Sequence, residues 1–419
     1  MSFRSSRRNL LTTIGVAGCG GLAGCLSSIP GRNVDDGDGG GTDRTLKIGV
    51  MQPISGGLGS VGKPIRDAAL LPIEQVRDQI ALGIDYEVAD TETSARAGVE
   101  KAARLVEAGY PMVNGPAASN VTLQATQQVL IPRRVVSCSP ASTSPTITAL
   151  NDAGLVYRTA LSDSLQAAVL AEQASTDLGR ENAATLYVNN DYGWQLSRAF
   201  TRSFRNSHNG TVSVQVPVET GRDSYTEAIE RATADDPELM IVIGYPKTGA
   251  QLFDDLIGGG YEGDILVTDG LRDGGLHEAT DHSIDGIRGV AAANAGPRED
   301  DFVQMFKDTY DAEPGIFTAH AYDATAVLLL ANAFAGQNDG AAIRNAMQRV
   351  TWGPGEVIYP KQLPKGLELA AQGENVEYRG ASSSIVFDEY GDVEDATFEY
   401  WKFDESADSG ITEIDRVST

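Results

Sequence analysis

The chain has 419 residues, 58 of them acidic and 33 basic, for a formal charge of −25 at pH 7. A field of that sign repels phosphate backbones and anionic headgroups, so nucleic acid is excluded as the expected partner. The length exceeds what one hydrophobic core serves, and two domains are expected.

In chain order, the first signal is Ser6-Arg7-Arg8-Asn9-Leu10-Leu11, a weakly apolar run to Leu22, and then Ala23-Gly24-Cys25. The run is too short for a bilayer crossing, which needs ~18 apolar residues, so residues 1–24 read as a secretory signal peptide. Arg7 and Arg8 resemble the twin-arginine export motif. Leu-Ala-Gly-Cys25 resembles a lipobox, in which the cysteine becomes a lipid-bearing N-terminus; a plain signal with an incidental cysteine is the alternative. Removing Arg4, Arg7 and Arg8 leaves 30 basic against 58 acidic residues, a formal charge of −28. Residues 25–43, rich in Gly, Ser and Asp without apolar periodicity, read as a flexible tether.

From residue 45 short apolar runs alternate with amphipathic stretches. Strands are expected at 46–51, 84–89, 110–114 and 135–138, and helices at 65–80, with Pro72 kinking or restarting the helix, 95–108 and 119–130. The alternation restarts after residue 161. Strands then fall at 183–188, 211–216, 239–244 and 265–268, and helices at 165–178, 195–205, 225–234 and 249–257. Helical stretches at 299–310, 318–334 and 341–350 follow, and residues 384–393 and 398–403 look like two strands around a glycine turn. This order implies two α/β lobes, each a doubly wound parallel sheet with helices on both faces.

Enzyme motifs fail on inspection. Gly57-Leu58-Gly59-Ser60-Val61-Gly62 matches GxGxxG, and Gly57 to Lys63 matches a phosphate loop except that Pro64 replaces the Ser or Thr that holds Mg²⁺. The next acidic strand end, Asp90, is farther away than a ribose-binding acid stands. The four histidines show no metal spacing, no GxSxG elbow occurs, and Cys138 reads as a buried strand residue. Neither catalysis, nor a cofactor, nor a metal is expected.

The informative residues follow the strands, where doubly wound sheets bind ligands. Asn114-Gly115-Pro116-Ala117-Ala118-Ser119 leads into a helix capped by Ser119 or Asn120, a candidate anion site. Ser139-Pro140-Ala141-Ser142-Thr143-Ser144-Pro145 adds four hydroxyls, and together the two segments suit one carboxylate. In the second half, Tyr192, Tyr245 and Asp269 follow three of the strands. An acid opposite an anion site suits a zwitterion, with the aromatic faces walling its side chain.

At these residues the chain resembles the solute-binding lipoproteins of ABC importers, of the leucine/isoleucine/valine-binding type. Pro53-Ile-Ser-Gly-Gly57, Gly115-Pro-x-x-Ser119, 139–145, Asp191-Tyr192-Gly193 and Phe387-Asp-Glu-Tyr-Gly-Asp392 fall in that family's order. The resemblance implies the type I periplasmic-binding-protein fold with three hinge crossings, near Arg158, Gly289 and Val393. It makes residues 44–158 plus 289–392 one lobe and 159–288 plus 393–419 the other, closing as a hinge. It implies that Ser119, Ala141 and Thr143 hold a ligand carboxylate, Asp269 its ammonium, and Tyr192 and Tyr245 its side chain. Asp269 stands where the family usually has glutamate, Val61 where an aromatic often covers the ligand, and the family's small disulfide loop is absent near Asp90. The expected role is a monomeric, lipid-anchored binder on the outer membrane face, handing an amino acid to an ABC permease. The alternatives are a binder feeding a receptor, an importer for an amide, urea or small organic acid, or an exported hydrolase. Strong acidity with eight lysines also resembles proteins of halophilic archaea.

Overall fold

The computed structural model describes residues 44–394 and 396–418. The expectations for Arg7, Arg8, Cys25 and the tether lie outside the described residues. Among the described residues no helix is long and apolar enough to cross a membrane.

The first five strands are β1 (Thr45–Gln52), β2 (Gly83–Asp90), β3 (Met112–Asn114), β4 (Val136–Ser139) and β5 (Val156–Arg158). They form an all-parallel sheet in the order β2-β1-β3-β4-β5. The next five are β6 (Asn182–Val188), β7 (Thr211–Val218), β8 (Leu239–Ile243), β9 (Asp264–Thr268) and β10 (Arg288–Ala292). They repeat the same order in a second sheet, β7-β6-β8-β9-β10, again parallel. In each lobe the order reverses beside the first strand, which leaves a crevice at the carboxyl ends. The fully buried β8 carries apolar residues without alternation because helices cover both faces.

Four strands complete the chain. β11 (Glu356–Ile358) and β12 (Val376–Tyr378) make a small parallel pair, and β13 (Thr397–Phe403) and β14 (Ile411–Ser418) extend the second sheet antiparallel from β10. The helix Thr318–Ala335 is buried on every side through Ala333, its polar side chains included. It packs behind the first sheet, against β1, β3 and β4.

Several expectations are corrected. The helix expected from residue 65 begins at Gly59 and runs unbroken to Val76 through Pro64 and Pro72. Pro72 belongs to its buried stripe with Ile65, Ala68, Ala69, Ile73 and Val76, and that packing outweighs the lost hydrogen bonds. Residues 384–393 form no strand. Phe387 and Val393 make a single bridge around a turn held by Asp388 Oδ1, which accepts from Tyr390 N at 2.8 Å and Asp392 N at 3.0 Å. The partner of β13 is instead β14, whose polar, largely exposed sequence hid it. Finally, β10 belongs to the second sheet, so the chain returns to the first lobe after Ala292 rather than at Gly289. Gly289 lies inside that strand, where a Cβ would come within 2.5 Å of the Trp401 ring.

Two crossings are tied together. The Arg158 side chain is fully buried and bound bidentately by Asp392, Nε to Oδ1 and Nη2 to Oδ2, each at 2.6 Å. Its Nη1 donates to the carbonyls of Ser142 at 3.3 Å and Ser144 at 3.0 Å, so the hinge also fixes the turn after β4.

Candidate functional site

One cavity lies where the strand ends of both lobes meet. All seven expected ligand residues, Val61, Ser119, Ala141, Thr143, Tyr192, Tyr245 and Asp269, stand on its wall. Leu58, Ile65, Ile316 and Phe317 add apolar side chains to it. The sequence reading missed these four, since nothing distinguishes them from core residues. Phe317 holds a left-handed backbone, φ 61°, which is rare for a bulky residue and aims the start of its helix at the cavity.

The glycine-rich stretch after β1 has a packing role. A Cβ at Gly62 would lie 1.9 Å from the Pro53 carbonyl oxygen, whereas at Gly57 the nearest atom would be a Tyr245 ring carbon at 3.6 Å. Leu58 and Val61 face the cavity while Lys63 is exposed, so the segment presents an apolar wall. Asp90 secures this turn, accepting from Ile54 N at 3.0 Å, Ser55 N at 3.2 Å and Ser55 Oγ at 2.7 Å. Burial works to raise its carboxyl, but these bonds and one from Glu92 N hold it below the ordinary value.

In the first lobe, Asn114 anchors the end of β3 by donating to Ala321 O and Thr325 Oγ1, both at 2.8 Å. The helix that follows is Ser119–Ala125 and its cap is Ala118, so Ser119 is the first helical residue instead of the cap. Its hydroxyl is thereby left to the cavity and to Ser144 N at 3.3 Å. The hydroxyls of 139–145 are less available than their number suggested. Ser139 Oγ donates to Pro116 O at 2.5 Å and Ser142 Oγ to Ala117 O at 2.9 Å, binding the two strand-end segments to each other. Ser119, Ala141 and Thr143 are the members that reach the wall.

In the second lobe, the helix Asp191–His208, capped by Asn190, puts Tyr192 at the cavity. The Tyr192 and Tyr245 rings stack with centroids 5.8 Å apart and planes 11° from parallel. Asn190 Nδ2 donates to Tyr245 Oη at 3.0 Å. Tyr192 Oη donates to Asp269 Oδ1 at 3.0 Å, and Gln166 Nε2 donates to the same oxygen at 2.9 Å. Burial lifts the Asp269 carboxyl above its usual value against the pull of those two bonds. Burial, helped by the charge of Asp269, holds Tyr192 neutral, a donor throughout the physiological range.

A second buried acid escaped the sequence reading. Asp163, the first residue of the helix Asp163–Glu172, sits behind Thr143, whose carbonyl accepts its N–H at 2.8 Å. Burial and the neighbouring Asp269 push its carboxyl well above the ordinary range, with the Thr143 hydroxyl and Arg158 opposing.

The lobes touch directly beside the cavity. Asp191 accepts from Ser144 Oγ and from Thr146 Oγ1 (3.1 Å), and Gln195 Nε2 donates to Thr146 Oγ1 at 2.9 Å. This is a closed cleft, with hydroxyls on one lobe, a buried acid on the other and aromatic faces between. Such a site holds a small solute with a polar end and an apolar body. Among the described residues no group of three or more His, Cys, Asp or Glu side chains is placed to hold a metal ion. Cys138 is free and buried in β4.

Comparison with known proteins agrees with this geometry. The family described as periplasmic binding protein matches residues 45–361. The chain is 27% identical to the chemotactic signal transduction system substrate-binding protein BasB of Halobacterium salinarum, over 77% of this chain and 83% of that one. It is 24% identical to a Leu/Ile/Val-binding protein homolog of Brucella melitensis, over 87% and 93%. Among solved structures, a leucine-binding protein LivK of Thermotoga maritima superposes with a TM-score of 0.75 at 23% identity, covering 89% of this chain and 98% of that one. A solute-binding protein of R. palustris in complex with benzoate gives a TM-score of 0.70 at 16% identity, covering 89% and 96%. These likenesses show the two-lobed type I fold, and the matched relatives are binding proteins.

Proposed function

The chain belongs to the periplasmic binding protein family, and from that premise we propose that it captures an amino acid with an apolar side chain and delivers it to an ABC permease. The observation that carries the reading is the opposition across one cavity of Ser119 and Thr143 with Asp269, flanked by stacked tyrosines. The carboxylate of a zwitterion docks on the hydroxyl side, its ammonium meets Asp269, and its side chain lies against Tyr192, Tyr245, Leu58 and Val61. No step requires catalysis or a cofactor. Closure then presents both lobes to the membrane partner as one surface. The Brucella relative, described as a Leu/Ile/Val-binding protein homolog, and one from Pseudomonas aeruginosa, described as a leucine-, isoleucine-, valine-, threonine-, and alanine-binding protein, support the ligand class. Cys25 as lipid anchor and Arg7-Arg8 as export signal complete the proposal. They keep a monomeric binder on the outer membrane face, and its acidic surface suits concentrated salt.

The Halobacterium relative's role in chemotaxis favours a second reading, in which the closed form engages a receptor. The capture chemistry is the same, and co-purification with a permease or with a receptor separates the two.

The test is a thermal-shift screen of the purified protein in high salt against amino acids, amides and small carboxylic acids. A ligand at a hundred times its Kd adds about 2.7 kcal/mol of stability, a shift of several degrees. A screen in which amides or simple acids raise the melting temperature and no amino acid does refutes the ligand class.

A further inference from the structure

Acidic side chains are spread unevenly over this chain. Of its 419 residues 58 are Asp or Glu, yet residues 108–151 and 192–218 contain none. Buried strands account for part of both runs. The rest is surface on one rim of the cleft, where the helix Ser119–Ala125 of the first lobe touches the helix Asp191–His208 of the second. In the second helix, spacings of four, four and three residues bring Trp194, Arg198, Arg202 and Arg205 onto one exposed face. The Arg198 guanidinium lies over the Trp194 ring, 4.4 Å from its centroid. Among the described residues no carboxylate pairs with any of these three arginines, whereas Arg104 has Glu87, Arg180 has Asp264 and Arg288 has Asp177. Like charges at helical spacing repel, so the fold gains nothing from the arrangement. On the first lobe the rim continues through exposed, uncharged Gln124, Gln127 and Gln128 to exposed Arg133 and Arg134. The contacts of Asp191 and Gln195 with Thr146 hold the two halves in register in the closed cleft.

We propose that this rim is the docking surface for an acidic segment of a membrane protein. The inference rests on the reading that the closed form is received by a membrane partner, and it adds the face that partner touches and the charge it carries. Charge complementarity selects the occupant: the rim is the basic exception on a protein of net charge −25. A short acidic segment meets only the rim, whereas an anionic bilayer presents a plane to the whole molecule, whose charge opposes it. Tryptophan and arginine are also the side chains that carry most energy at protein interfaces. Because the rim belongs to both lobes, a segment that spans it fits the shut arrangement.

The experiment is photo-crosslinking in the cells that make the protein. The full chain carries p-benzoylphenylalanine in place of Asn206, exposed beside the arginines, or in place of Lys247, exposed on the opposite rim at the start of the helix Pro246–Gly258. Adducts are identified by mass spectrometry. Position 206 should yield an adduct with a permease or receptor subunit through a peptide rich in Asp and Glu, and position 247 should not. Arg198→Glu with Arg202→Glu should cut that adduct by roughly tenfold or more. The purified double variant should keep the wild-type melting temperature and its response to L-leucine, since neither arginine lines the cavity. If it does not, Arg198→Gln with Arg202→Gln replaces it. No adduct at 206, equal adducts from both rims, an adduct that survives the reversal, or one joining two copies of this chain overturns the docking surface. Phosphatidylglycerol vesicles that sediment the wild type but not the double variant overturn the protein partner in favour of a lipid surface. An acidic membrane protein of another kind, captured at 206 and lost on reversal, overturns the delivery reading and leaves the docking surface standing.

Discussion

The Arg158–Asp392 pair at the hinge is predicted to stabilise the fold and to shape the binding turn, and Asp392→Asn separates those roles. The Arg158 guanidinium makes five contacts: two to Asp392, one to Thr148 Oγ1 at 2.7 Å, and one each to the Ser142 and Ser144 carbonyls. Asp392 is its anion, so asparagine keeps one acceptor oxygen and leaves a fully buried cation without a countercharge. Breaking such a pair from one side costs about 3–5 kcal/mol, and the retained oxygen places the expected loss near the lower end. Against a total stability of about 5–15 kcal/mol that is a large fraction. Urea unfolding followed by far-ultraviolet circular dichroism should show a midpoint lowered by on the order of 1 M at an unchanged slope. Added salt should not change the loss, because the pair is out of reach of the ions that screen surface charges. The double variant Arg158→Leu, Asp392→Leu should recover most of the stability, since apolar replacement of a whole buried pair is often neutral. It should still bind ligand poorly, because the carbonyls of the 142–144 turn have lost their anchor. A loss below about 1 kcal/mol for Asp392→Asn would refute the reasoning.

Other outcomes follow from the same geometry. Asp269→Asn should weaken an amino acid by roughly 30-fold or more in calorimetry while leaving a carboxylate-only analogue within about threefold; equal losses would remove the ammonium role. Gly62→Ala should lower the melting temperature, with a cost of about 1–3 kcal/mol, because its Cβ meets the Pro53 carbonyl oxygen at 1.9 Å. Gly57→Ala, with its nearest neighbour at 3.6 Å, should be nearly neutral, and parity of the two variants would count against the packing role. Asp323, buried behind Tyr378 and Ser382, has its carboxyl raised to about 6 by burial, against the hydrogen bonds it accepts. A folded-state value above the unfolded one stabilises the fold at low pH and loses that benefit as pH rises through about 4 to 6. Relative to Asp323→Asn, wild-type stability should therefore decline across that window by on the order of 2–3 kcal/mol in chemical denaturation at fixed salt; a flat difference would contradict it.

The alternation of apolar runs and amphipathic stretches made both lobes readable, since parallel strands covered by helices have few other sequence solutions. The cavity residues were readable for a related reason. Topology puts strand ends together, so Ser119, Thr143, Tyr192, Tyr245 and Asp269 need only follow the right strands. What escaped has identifiable causes. β5, β11 and β12 are three residues long and give no periodic signal. β14 is polar and largely exposed, so the pairing of β13 was assigned to the wrong segment. β10 is an apolar strand like any other, and its sheet is decided by its pairing with β9 and with β13, the latter far away in sequence. Asp163 was invisible because Ser162-Asp163-Ser164 reads as a helix start with an acid in its first turn, which is what its local sequence is. Only its depth, set by the packing of both lobes, marks it out.

The contact between Asp191 and the Ser144–Thr146 turn has a further cost for the cell. It joins the lobes through groups that lie beside the ligand wall and need no ligand to pair. Whatever free energy that clasp contributes is available to an empty binder as well, and every 1.4 kcal/mol of it multiplies the vacant, shut population tenfold. Under the proposed delivery role, a membrane partner that recognises the shut shape would receive false deliveries at a rate set by the clasp, while the ligand's own contribution would fix the ratio of true to false. Loosening Asp191 would lower affinity and improve fidelity together, so the strength of two hydroxyl contacts sets how far this protein trades sensitivity for a quiet background.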